Sequence, residues 1–364
     1  MRLFTSLRNL FLGLLLGLLS VGVFLALSEV VLKLAKVSPK LDNLHFLLNP
    51  ELNYPQFFQR DHDLFWRFKP KQVIRGNFMV EGVYQINSLG LRDKEVSEKK
   101  PAGVFRLVCL GNSNTFGWRQ KQEQAYPQQL QKLFEANRPL AKMEVINGGI
   151  TGYSSFQGKI FLKKKILKME PDLVTINYGW NDLLPAKFGI PDKDQKLPSQ
   201  WVLNLQNLLS QTTLYQLLKS LWVGKLSKPQ LVRKGVSRVS LTDYQQNLIE
   251  IERICRENKI PVLFLTNPVA SIEAYWGPGK TSLVHLMNRA YNNALKELSQ
   301  THKLDVLDVA ALFLHRGDLY DEPRTDYIHY NVLGHNLIAQ SLHDYLVTNR
   351  LVLSTANRSL IQGL

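Results

Sequence analysis

The sequence predicts an α/β protein of three layers, a parallel sheet between two layers of helices. Three observations predict it. Five short apolar runs recur through the chain: Phe105 to Leu110, Met143 to Asn147, Leu173 to Asn177, Val262 to Thr266 and Asp305 to Val309. Their apolar character is continuous rather than alternating, which means burial on both faces and hence a parallel sheet. Between them lie amphipathic helical patterns, at Tyr126 to Ala136, Phe156 to Lys168, Asp243 to Glu257 and Leu283 to Thr301. Strands alternating with helices build βαβ units with right-handed crossovers.

Residues 1–34 open with Arg2 and Arg8 and then run uncharged from Leu10 to Ser28, the length a helix needs to cross a bilayer. Lys33, Lys36 and Lys40 follow closely, so charge alone does not orient the segment. We expect a retained single-pass anchor, because Val30, Val31, Leu32 and Leu34 extend the apolar pattern. The rival is a signal peptide cut near Ala26-Leu27-Ser28, leaving a secreted chain. Either way the remainder is expected to work outside the cytoplasm. Residues 35–100 form an extension of short strands and loops, including DHDLFWRFKP and VYQINSLGLRDKE. A catalytic domain is expected over 101–350, with a helical insertion at 183–260 and a tail at 351–364. Within the insertion, leucines between Trp201 and Trp222 recur at helical spacing. They read as an extra helix packed on the domain, or as a lid or interfacial helix with Trp201 and Trp222 as its substrate-side residues.

Composition narrows the class. The chain has 364 residues, enough for a large core without staples, and a formal charge of +15. Such a charge suits anionic surfaces. It is scattered, with one dense run at Lys163 to Lys165 and Lys168 that fits a solvated helix face, and no nucleic-acid-binding motif accompanies it. No nucleic-acid partner is expected. Cys109 and Cys255 read as small buried hydrophobes rather than a disulfide framework.

In open parallel sheets the functional groups gather at the carboxyl ends of the strands. Those ends read Gly111-Asn112-Ser113, then Asn147-Gly148-Gly149-Ile150-Thr151-Gly152, then Asn177-Tyr178-Gly179-Trp180-Asn181-Asp182. Beyond the fifth strand comes DYIHYNVLGH, where Asp326 and His329 stand three apart before a helix starting near Val332. Acyl transfer needs a hydroxyl, a base, an orienting group and donors for the developing oxyanion. Ser113 is the candidate nucleophile, His329 the base and Asp326 its orienter. The oxyanion donors are the Ser113 and Gly152 N–H groups and the Asn181 amide, each of a kind that stabilises the transition state by about 2.7–4 kcal/mol. His335, Asp318 and Asp321 read as structural.

The blocks GNSNTFG, NGGITG, GWND and DYIHYNVLGH resemble, in order, the four blocks of the SGNH or GDSL-type hydrolase superfamily, over roughly Phe105 to Thr348. The resemblance implies a flavodoxin-like five-stranded sheet and esterase or acyl-transfer chemistry. Ser113, Gly152, Asn181 and His329 are then the namesake residues, Asp326 completes the triad, and no cofactor or metal is needed. INSLGLRD is similar to a segment of membrane-anchored relatives, and a strand with a glycine turn explains it equally well. Asn112 departs from the usual Gly-Asp-Ser; Tyr330 replaces an aliphatic residue or proline and is expected to shape the leaving-group side. The expected function is a membrane-anchored serine esterase acting on a small ester or an acylated lipid or glycan. An O-acyltransferase with a glycan acceptor, and a binding or scaffold protein that kept the fold without the chemistry, stand as alternatives.

Overall fold

A computed structural model describes residues 2–38, 54–75, 83–137, 142–224, 232–271 and 282–352. Lys40 and the tail from residue 353 lie outside them. The chain divides into two compact units, Met1–His62 with Pro198–Lys228, and Asp63–Leu197 with Pro229–Leu364. The insertion expected at 183–260 is therefore shared between them.

The larger unit holds the sheet. Strands β1 (Val104–Gly111), β2 (Lys142–Gly149), β3 (Leu173–Asn177), β4 (Val262–Leu265) and β5 (Asp305–Leu307) form one five-stranded sheet. Its order is β5-β4-β3-β1-β2, and every pairing is parallel. This is the doubly wound order, with the topological switch beside β1, where ligands bind in such folds. The long β1–β2 register runs from Val104 opposite Lys142 to Gly111 opposite Gly149. The fifth strand is shorter than the apolar run at Asp305 to Val309, because Asp308 accepts from the Ala311 N–H and starts a helical turn there.

The labelled helices are α1 (Ser113–Phe116), α2 (Tyr126–Ala136), α3 (Ser155–Lys164), α4 (Leu241–Glu257), α5 (Leu283–Thr301) and α6 (Val332–Thr348). Alternate residues of β1, Phe105, Leu107 and Cys109, join Tyr126, Leu130 and Phe134 of α2 and Ile338, Leu342 and Leu346 of α6 in one apolar cluster. Helices α3, α4 and α5 pack with one another as the other helical layer. Leu342 is wholly buried, so truncation to alanine removes about 2–5 kcal/mol of stability. Cys109 and Cys255 are free and buried, and burial pushes both thiols up to about 12.

Ahead of the sheet, strands Gln72–Arg75 and Val83–Ile86 pair antiparallel. The INSLGLRD segment follows and is more than a strand and a glycine turn. Asn87 Oδ1 accepts from the Leu89 and Leu91 N–H groups, and Gly90 takes a positive φ of 80°. The wholly buried Arg92 then donates to the carbonyls of Phe116, Gly117 and Gln120 at 2.8, 2.8 and 2.6 Å. Tyr84 and Phe116 rings flank its guanidinium. Asp93 accepts from the Asn147 N–H at 2.8 Å. Two adjacent residues of the extension therefore hold the loop after α1 and the end of β2.

In the smaller unit an apolar helix, Arg2–Leu34, accompanies a hairpin of helices Gln200–Leu209 and Thr213–Gly224. The single extra helix expected between Trp201 and Trp222 is broken at Ser210 to Thr212, where the Thr212 hydroxyl accepts from the Tyr215 N–H at 3.3 Å. Asn207 clamps the strand Phe58–Asp61, accepting from the Arg60 N–H at 2.6 Å and donating to the Arg60 carbonyl at 3.0 Å.

Candidate active site

Gly111 ends β1 where a Cβ would stand 2.0 Å from Thr115 Oγ1 and 2.9 Å from the Asn177 carbonyl, so only glycine fits. The next residue, Asn112, caps α1 by accepting from the Asn114 N–H at 2.9 Å. It thus performs the local role expected of the usual aspartate. Its Nδ2 is buried and has no hydrogen-bond partner among the described residues. Ser113 is delivered at the first position of α1, partly exposed, with its Oγ 2.8 Å from His329 Nε2.

His329 and Asp326 lie on a short strand, Asp326–Tyr330, rather than in a free turn. On a regular strand, residues three apart face opposite ways. Here the pairing with Tyr320–Glu322 is irregular, Tyr320 opposing Tyr330 while Glu322 opposes Asp326, so two extra residues bulge on the Asp326–Tyr330 strand. The result is a two-pronged contact, His329 Nδ1 lying 2.8 and 2.9 Å from the two Asp326 oxygens. Trp118 stacks on the imidazole with ring centres 5.5 Å apart. Burial raises the Asp326 pKa, but the His329 hydrogen bonds and charge and the Arg119 charge outweigh it, holding the carboxyl below its ordinary value. Arg119 stands 3.8 Å away, a residue that sequence reasoning passed over.

Gly152 adopts a positive φ of 81°, a conformation natural to glycine. Neither its N–H nor that of Ser113 has an acceptor among the described residues, as oxyanion donors require. Asn181 is 8% exposed and spends one amide hydrogen on the Tyr153 carbonyl at 3.1 Å, leaving the other. Its neighbour Asp182 accepts from the Ser155 and Gly179 N–H groups, placing a carboxylate at the amino end of α3. Burial, partly offset by those hydrogen bonds and by Arg238, pushes Asp182 up to about 6.

Two further residues hold the Gly152 loop. Trp66 Nε1 donates to the Thr151 carbonyl at 3.1 Å, and Arg238 Nη1 to the Gly152 carbonyl at 2.7 Å. Arg238 also pairs with Asp192 and donates to Gln157, and its guanidinium lies over the Trp66 ring. Neither residue carries a local sequence signal for this role beyond the FWRF run itself.

The structure thus brings together Ser113, His329 and Asp326, with Gly152 and Asn181 at the neighbouring strand ends. Trp201 and Trp222 stand in the smaller unit, 70% and 63% exposed. His335 is structural as expected: it accepts from the Tyr126 N–H at 3.2 Å, and burial pushes its pKa down to about 3. Tyr330 corrects an expectation. It does not face a leaving group; it is buried among Phe313, Tyr320 and His335, with its hydroxyl accepting from Asn114 Nδ2 at 3.1 Å.

Solved structures with similar folds include the acetyl xylan esterase AlAXEase, at 16% identity and TM-score 0.46, covering 66% of this chain and 100% of that one. A lipase/acylhydrolase from Enterococcus faecalis matches at 17% identity and TM-score 0.44, covering 67% and 96%. A catalytic mutant of Axe2, an acetylxylan esterase from Geobacillus stearothermophilus, matches at 16% identity and TM-score 0.44, covering 68% and 94%. No curated protein matches the chain. The model of the GDSL-like Lipase/Acylhydrolase family matches residues 109–337, more than half of the chain and all four blocks that contain a candidate site residue. On that match, this chain belongs to the GDSL-like lipase/acylhydrolase family of ester hydrolases.

Proposed function

We propose that the chain is a membrane-anchored serine esterase that removes an acyl group from an alcohol oxygen of a lipid or an envelope carbohydrate. One observation carries the reading: the unbroken hydrogen-bonded line from Asp326 through His329 to Ser113, beside two N–H groups with no acceptor among the described residues. A protein retained only for binding has no need of that alignment.

In the proposed reaction, Ser113 Oγ attacks the ester carbonyl while His329 Nε2 takes its proton. Asp326 holds the other ring nitrogen protonated and stabilises the imidazolium. The carbonyl oxygen gains negative charge and is met by the Ser113 and Gly152 N–H groups and by Asn181 Nδ2. The carbon–oxygen bond to the alcohol then breaks, and His329 returns the proton to the departing oxygen. Water, deprotonated by His329, attacks the acyl-Ser113 ester and releases the carboxylic acid and free Ser113.

The anchor reading is supported by an apolar helical segment, Ser6–Leu34, and by Glu29 within it. The Glu29 carboxylate accepts from the Thr213 and Leu214 N–H groups, both at 2.9 Å, so the helix has a structural role that cleavage after Ser28 would disturb. The extracytoplasmic placement of the catalytic domain is tested by protease shaving of intact cells. For the chemistry, Ser113→Ala should abolish turnover of p-nitrophenyl esters and labelling by a fluorophosphonate. Undiminished labelling would falsify the assignment. Transfer of the acyl group to an added glycan in preference to water would move the reading to an acyltransferase.

A further inference from the structure

We propose that the hairpin Gln200–Leu209 and Thr213–Gly224 is a membrane-interface element that lies in the outer rim of the bilayer, fixed at that depth by Glu29. The proposal rests on the anchor reading above and adds a second, peripheral contact with lipid.

The hairpin is built to be covered. Across Gln200 to Gly224 the only charged residue is Lys219. Trp201, Leu205 and Leu208 recur at helical spacing and are 70%, 49% and 65% exposed, while Leu203 and Asn207 on the opposite side are buried or bonded to Arg60. On the second helix Leu218, Leu221 and Trp222 repeat the pattern at 59%, 55% and 63%. Contiguous apolar faces of this kind mark an interaction surface.

Glu29 identifies the occupant. It is the first charged residue after the uncharged run from Leu10 to Ser28, a helical rise of about 28 Å, against a hydrocarbon core of about 30 Å. It therefore stands where hydrocarbon gives way to headgroups. Its two carboxylate oxygens cap the first turn of helix Thr213–Gly224, and Lys33 pairs with it at 3.2 Å. Among the described side chains of the apolar helix, Ser28, Glu29 and Leu32 near its end are half-buried, while the residues from Leu10 to Leu27 remain exposed. The hairpin thus leaves the span free for lipid and meets it at the boundary. Tryptophan is the side chain enriched at that boundary, apolar in body with one polar N–H.

The test uses the full chain reconstituted into phosphatidylcholine vesicles containing one-fifth phosphatidylglycerol, with and without bromine on the upper acyl carbons. Flotation after an alkaline wash first establishes the anchor; failure to float overturns the anchor reading and this proposal with it. In floating protein, bromolipid should quench tryptophan emission, and Trp201→Ser with Trp222→Ser should remove at least half of that quenching. Trp201→Phe with Trp222→Phe should remove the same signal while keeping full ester turnover, which guards against misfolding of the serine pair. Glu29→Ala should reduce the quenching while the chain still floats. Equal fractional quenching in parent and variants would overturn the proposal. So would absent quenching coupled to a self-association that the serine pair abolishes, or to a changed KM for a soluble ester, since those outcomes assign the face to a second copy or to a lid.

Discussion

Trp66 Nε1 donates to the Thr151 carbonyl across a sequence separation of 85 residues, and that carbonyl belongs to the same peptide group as the Gly152 N–H. The indole therefore holds the far end of the group proposed to meet the oxyanion. A hydrogen bond at the carbonyl also polarises the N–H. Trp66→Phe should lower kcat with little change in KM, because the effect is felt as charge develops on the substrate oxygen. One neutral hydrogen bond is worth about 0.5–1.5 kcal/mol, so the expected fall is roughly two- to twelvefold. A steady-state comparison on p-nitrophenyl acetate checks this; a raised KM at unchanged kcat would contradict it.

Arg238 has two roles that can be separated. Replacing it with Met leaves Asp192 buried without its cation, a loss of about 3–5 kcal/mol, and frees the Gly152 carbonyl. Adding Asp192→Asn should recover much of the melting temperature but not the kcat, since the carbonyl remains unheld. Recovery of both together would make Arg238 purely structural.

Asp326→Asn should cost about 10⁴-fold in kcat, by favouring the wrong imidazole tautomer. Arg119→Gln, at a partly exposed pair 3.8 Å apart, should change kcat less than about threefold because solvent screens it. Because, against burial, the His329 hydrogen bonds and charge hold the Asp326 carboxyl below its ordinary value, protonation of Asp326 should not set the acid limb of kcat/KM. A pH profile whose acid limb moves in Arg119→Gln would show instead that Asp326 governs it.

Asp93 should make stability depend on pH. Burial, against hydrogen bonds from Asn147 and Lys94, pushes its carboxyl from 3.8 up to about 6. Between those values the native state keeps a proton that the unfolded chain releases, so the contribution is full below pH 4 and disappears as pH rises through 6. Asp93→Asn removes this titration. The melting temperature of the variant should gain on the parent as pH goes from 4 to 7; a constant difference would contradict the assignment.

What was legible in the sequence was whatever is encoded locally. The strands β1, β2 and β3 are mostly apolar runs ending in glycine or asparagine, and Ser113, Gly152 and Asn181 lie within a few residues of those ends, so periodicity and turn chemistry sufficed. Helix α2 begins and ends at the expected residues, its start marked by Pro127 in the first turn. The bulge that turns Asp326 toward His329 was not legible, because it depends on register with Tyr320–Glu322. Trp66, Arg92 and Arg238 were missed for the same reason: each meets the site through carbonyls 24 to 86 residues away. The break at Ser210 to Thr212 did carry a local sign, the hydroxyl residues Ser210, Thr212 and Thr213, of which Thr212 caps the new helix.

The clamp on Gly152 also bears on how this hydrolase can be moved between proteins. The stretch shared with its family begins at residue 109, inside β1 and well after Trp66, Arg92 and Asp93. A transplant cut at that border would carry Ser113, His329 and Arg238 while discarding the fastenings of two neighbouring loops. The larger unit, which holds Trp66, Arg92 and Asp93 together with the sheet, starts at Asp63. The stretch matched by the family model and the stretch that fastens the proposed site are different lengths of the same chain.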